Sequence, residues 1–128
     1  MKKLIVLSAI IALSSCKKEE TKKESLYPTT TETVAQTPVE LGKEIFEGKG
    51  NCIACHQIDK KVIGPSLQDI AGIYKSKNAD MVTFLKGEGE PIVDPSQYEV
   101  MKANFALTKA MSDEELKALE AYVYSHVK

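Results

Sequence analysis

Tryptophan is absent from this 128-residue chain, and aromatic residues make up only 6% of it. A domain this small has a thin core and usually needs a metal, a disulfide or a bound cofactor to complete it. The sequence holds few large rings of its own for that purpose. An excess of either charge is also missing. Its 17 basic residues, all lysines, stand against 18 acidic ones, for a formal net charge of -1 and a pI of about 6.1. That balance argues against nucleic-acid binding, which needs a basic face. It also leaves no obvious lysine face to steer a partner. Internal repeats are missing, and no convincing alternating run supports a β-sheet. Cysteine is scarce, with 3 in the chain. In an exported protein an odd number requires an account of each thiol.

The start of the chain is the one strongly apolar stretch. Lys2 and Lys3 precede an apolar run from Leu4 to Leu13. A run of about ten residues is too short to span a bilayer and suits a signal peptide. Leu13-Ser14-Ser15-Cys16 resembles the bacterial lipobox. The resemblance implies cleavage before Cys16 and lipid attachment to it, with several acyl chains for firm anchoring. The competing reading is an ordinary secretory signal with an incidental cysteine. From Lys17 to about Pro38 the chain is rich in Lys, Glu, Thr and Pro and nearly free of apolar side chains. Such a segment cannot offset its ordering entropy, so it reads as a disordered linker. The expected division is therefore residues 1–15 as leader, 16–38 as lipidated cysteine and linker, and 39–128 as the folded domain.

The other two cysteines lie in Cys52-Ile53-Ala54-Cys55-His56, a C-x-x-C-H motif. This is the attachment signature for c-type haem. Two thiols three positions apart can add to the two vinyl groups along one haem edge. His56 then lies under the iron as its proximal ligand. Three other readings compete: a redox-active dithiol, a zinc site completed by His126, and a structural disulfide. Against the first, Gly48-Lys49-Gly50-Asn51 reads as a turn, where a dithiol of the thioredoxin kind follows a buried strand. Against the second, His126 has no ligand partner near it in sequence.

Residues 39 to 128 resemble the class I cytochromes c beyond this motif. Gly42-Lys43-Glu44-Ile45-Phe46 is similar to the N-terminal helix of that family, and Leu119-Glu120-Ala121-Tyr122-Val123 to its C-terminal helix. The resemblance implies that these helices cross through Gly42, Phe46, Leu119 and Tyr122. Gly64-Pro65-Ser66-Leu67 resembles the family's Gly-Pro-x-Leu segment. By that resemblance the Pro65 carbonyl accepts the His56 Nδ1 proton, and Leu67 packs on the haem face. Such a bond raises the basicity of the ligand.

The resemblance further implies a methionine sulfur as sixth ligand. Outside the leader the candidates are Met81, Met101 and Met111. Ser112 and Glu115 form a capping box, which puts Met111 opposite Leu116 in a hydrophobic staple. Met81 shares an apolar helix face with Phe84 and Leu85. Met101 sits apart from these elements, in a stretch like the family's methionine loop. Lys102-Ala103 stands where that family commonly has proline. Met101 is the expected ligand, with Met111 as its competitor.

The expected architecture is all-α: a small cytochrome c fold of three to five helices wrapped around one covalently bound haem. Helices are expected near Val39 to Glu47, Leu67 to Tyr74, Asn78 to Lys86, and after Ser112. Ile92 to Ala110 is expected to be a loop. The implied function is single-electron transfer rather than catalysis, with haem c held by Cys52 and Cys55. The implied partners are redox proteins such as a respiratory complex, reductase or oxidase. The expected location is a bacterial membrane surface, facing the periplasm or cell exterior, as a monomer. The alternative is a haem-based gas sensor, or part of a haem enzyme with an open sixth position.

Overall fold

The computed structural model describes residues 36–128. The expected leader, Cys16 and the linker up to residue 35 lie outside the described residues.

Helix α1 spans Pro38–Glu47. Thr37 starts it with a capping box: its hydroxyl accepts from the Glu40 N–H at 3.2 Å, and Glu40 accepts from the Thr37 N–H at 2.9 Å. Pro38 occupies the first turn, where its missing N–H is not needed. Gly42, Ile45 and Phe46 form the buried face. After α1 the chain turns through Asn51, whose left-handed φ of 50° asparagine tolerates. A 3-10 turn follows at Cys52–Ala54.

Helix α2 spans Leu67–Lys77, capped by the Ser66 hydroxyl on the Asp69 N–H. It runs past Tyr74, where the sequence pattern ends, because Asn78 supplies a left-handed cap with φ 48°. Asp80 then opens α3, Met81–Leu85, by accepting from the Thr83 N–H. Asn78 and Asp80 are thus end signals, and they shorten the expected Asn78 to Lys86 helix.

The stretch expected as a loop contains further helical pieces. A 3-10 turn at Pro95–Gln97 leads into α4, Tyr98–Lys102, and α5 covers Phe105–Thr108. They are too short to show a helical period in sequence. The Thr108 hydroxyl, fully buried, donates to the Leu85 carbonyl at 2.6 Å and ties α5 to α3.

Helix α6, Asp113–Tyr124, opens with the Ser112–Glu115 capping box. Leu116, Leu119 and Val123 recur on its buried face. It packs most extensively on α1, then on α2 and α3. The approach to α1 is close: a Cβ on Gly42 would stand 1.9 Å from the Ala118 carbonyl oxygen and 2.7 Å from the Tyr122 Cβ. The Phe46 and Tyr122 rings meet beside this crossing at 5.3 Å between centroids. Among the described residues there is no β-strand, only an isolated antiparallel bridge between His56 and Lys61. No described helix is long and apolar enough to cross a membrane.

Candidate functional site

Between α2, α3, α4 and the cysteine motif lies a mainly apolar cavity of about 310 Å³. Cys52, Cys55 and His56 all line it, because the 3-10 turn folds the motif into one compact bend. The Cys55 and His56 N–H groups both donate to the Cys52 carbonyl, at 3.1 and 2.9 Å. Pro65, Leu67, Ile70, Phe84, Tyr98 and Met101 form much of the remaining wall.

The imidazole is held in one orientation. His56 Nδ1 lies 2.8 Å from the Pro65 carbonyl oxygen. A carbonyl can only accept, so Nδ1 carries the proton and Nε2 keeps its lone pair for a metal. Gly64 makes room for the ring: a Cβ there would stand 2.4 Å from Cε1 and 2.7 Å from Nδ1. The loop is pinned by the Gly64 N–H donating to the Cys55 carbonyl at 2.8 Å. The sequence gives Gly64 a role in a turn but does not show this ring contact.

The three methionines separate by position. Met101, on α4, is half-buried and lines the cavity. Met81 also reaches the wall but is buried in the core cluster. Met111 lines a different groove, with Lys86, Lys109 and Leu116. Leu67, at the start of α2, is fully buried and forms part of the cavity floor.

The competing chemistries fit less well. Cys52 and Cys55 are unbridged. Burial pushes the Cys52 thiol up to about 11. Redox-active cysteines have depressed values that keep them as thiolates. Among the described residues, no group of three or more His, Cys, Asp and Glu side chains is gathered to hold a metal ion. His126, the fourth ligand a zinc site would need, instead sits edge-on to the Tyr122 ring at 4.8 Å.

Sequence reasoning missed several members of the wall. Phe84 stacks against Tyr74, Tyr98 and Phe105 at centroid distances of 6.3, 6.4 and 5.4 Å. This cluster builds the side of the cavity near α4. Asn104 donates from Nδ2 to the Gly50 carbonyl at 3.3 Å. Lys61 pairs with Asp94 at 2.6 Å. Each bond joins residues far apart in the chain, and no local pattern signals it.

The donor set fits a haem: an apolar cavity, two thiols in its lining, an imidazole with a free Nε2, and a glycine that clears the ring. Comparison with known proteins agrees. The family model described as Cytochrome c matches residues 39–126. Cytochrome c-552 of Nitrosomonas europaea is 48% identical over 54 residues, which cover 42% of this chain and 47% of that protein. The chain thus spans about half the length of that relative. Cytochrome c-551 of Pseudomonas denitrificans is 32% identical over 89 residues, covering 64% of this chain and 93% of that protein. Cytochrome c-551 of Pseudomonas aeruginosa is 31% identical over 84 residues, covering 63% and 72%. With its C-x-x-C-H cysteine pair and helical domain, the chain belongs to the cytochrome c family, as a class I monohaem member carrying one covalent haem c.

Proposed function

We propose that the chain is a single-electron carrier, not an enzyme, in which His56 and Met101 would hold the haem iron. One observation carries this reading: His56 and Met101 line the same apolar cavity as the cysteine pair, whereas Met111 lies in another groove and Met81, which also reaches that cavity, is packed into the core. When bound, the haem supplies an iron that cycles between ferrous and ferric states, and His/Met ligation raises its potential. Cys52 and Cys55 attach it. Pro65 holds the His56 proton on Nδ1 and so aims Nε2. Leu67 and the aromatic cluster exclude water from its faces, which tunes the potential further.

Were His56 and Met101 both to hold the iron, no position on it would be left open for substrate or gas. The partners are redox proteins: a respiratory complex, a reductase or an oxidase. Cys16, lipidated after removal of the leader, would hold the domain at a bacterial membrane, facing the periplasm or the cell exterior. Residues 17–36, ahead of the Thr37 cap of α1, would then act as a tether and raise the effective concentration at membrane partners.

A ferric absorption spectrum tests the ligand set. The expected result is a weak sulfur-to-iron band at the red end, lost in Met101→Ala and kept in Met111→Ala. Met111→Ala should mainly lower helix stability. A high-spin spectrum, or rapid carbon monoxide binding by the ferrous protein, would replace this reading with a gas sensor. The reverse pattern in the two variants would assign the ligand to Met111.

A further inference from the structure

The segment that carries Met101 is thinly anchored. Helix α4 has no buried residue; it packs on its chain neighbours, the 3-10 turn at Pro95–Gln97 and α5, and through the Tyr98 ring on Phe84 of α3 at 6.4 Å. Among the described residues, two polar bonds tie residues 94–104 to distant parts of the chain. They are Lys61 Nζ to Asp94 Oδ2 at 2.6 Å and Asn104 Nδ2 to the Gly50 carbonyl at 3.3 Å. Both end on the haem-attachment loop, on opposite sides of the C-x-x-C-H motif. Lys61 is also the partner of His56 in the isolated antiparallel bridge. Asp94 lines the cavity and its side chain is 17% exposed. Its carboxylate is oriented by a second bond, from the Ser96 hydroxyl at 2.5 Å. The bonds from Lys61 and then Ser96 hold its carboxyl below the usual range.

We propose that Lys61 and Asp94 are positioning residues for the sixth ligand. Their ion pair clasps the Met101-bearing segment to the loop that holds His56, and so keeps added ligands out of the cavity. The inference rests on Met101 being that ligand. The Lys61 side chain is 56% exposed. The pair is therefore screened by solvent and salt, and its effect is modest.

Stopped-flow binding of imidazole to the ferric holoprotein tests the clasp. Lys61→Gln and Asp94→Asn should each bind imidazole about two- to fivefold faster than the parent. The double variant should be no faster than either single one, because only one interaction is lost. Lys61→Arg, which keeps the charge, should stay near the parent rate. Amide exchange should quicken over residues 94–104 in the two single variants and not in α1 or α6. Unchanged imidazole rates in both variants, or a Lys61→Arg rate equal to that of Lys61→Gln, would overturn the proposal. A wrong sixth ligand shows differently: the parent lacks the sulfur band, and Met101→Ala leaves imidazole binding unaltered. If only the clasp fails, the band and the Met101→Ala effect both remain.

Discussion

Gly42→Ala and Gly72→Ala add the same methyl group to two helices, and the structure predicts opposite signs. At Gly72, in α2, an added Cβ meets nothing within 4 Å. Alanine there gains helix propensity and should stabilise the domain by about 0.5–1 kcal/mol. At Gly42 the Cβ would stand 1.9 Å from the Ala118 carbonyl oxygen and 2.6 Å from its carbon. The obstacle is backbone, so no rotamer change relieves it. Helices α1 and α6 must move apart. A gap of 0.5–1 Å already forfeits about a quarter to a half of each dispersion contact across the interface. Overpacking typically costs about 1–3 kcal/mol, and this contact belongs at the upper end. The propensity gain offsets about 1 kcal/mol of a larger loss, so the net change should be at least about 2 kcal/mol. At about 4–8 °C per kcal/mol for a domain of this size, Tm should fall by roughly 10–15 °C. Thermal and denaturant unfolding of the haem-loaded variants, followed by circular dichroism, measures both. Equal shifts of the same sign, or a Gly42→Ala loss below about 1 kcal/mol, would refute the steric argument.

Thr108→Val should destabilise by about 1–3 kcal/mol in denaturant unfolding, because it leaves the Leu85 carbonyl without its buried donor. Ser112→Ala removes a hydroxyl cap from α6 and should cost about 1 kcal/mol by the same assay. Acid should destabilise the fold in a defined window. Glu40, Asp80, Asp94, Asp113 and Glu115 all have carboxyls held below their ordinary values of 3.8 or 4.5, chiefly by hydrogen bonds to their partners. A depressed folded value means the stabilisation is fully present above the unfolded value. It is lost as pH falls through the folded one. Tm should therefore be level above about pH 5 and fall below about pH 4, and Glu115→Gln should make that acid fall shallower.

Local signals carried the ends of the fold. Ser112 with Glu115 is a short-range pattern that a capped helix shows in sequence, whereas the crossing of Gly42 and Phe46 with Leu119 and Tyr122 is implied by the resemblance to the class I cytochromes c. The C-x-x-C-H motif is legible for the same reason: its chemistry is written in adjacent residues. The distal side was harder to read. Pieces of five residues or fewer, such as α4 and α5, hold too few turns to display a period. Asn78 and Asp80 are weak end signals that the apolar pattern around them masks. The Lys61–Asp94 and Asn104–Gly50 bonds link residues 33 and 54 positions apart. Only the folded chain brings such pairs together. Phe84 packs against the core and also lines the cavity, and its place on an apolar helix face shows only the first of these roles.

Covalent attachment is tested most directly by the intact mass of the protein after expression with a haem-maturation system. The expected mass exceeds that of the polypeptide by one haem, which is retained after acid and organic solvent. Cys52→Ser and Cys55→Ser should each weaken or abolish that retention. A mass without the haem, with both thiols free to alkylate, would contradict covalent attachment.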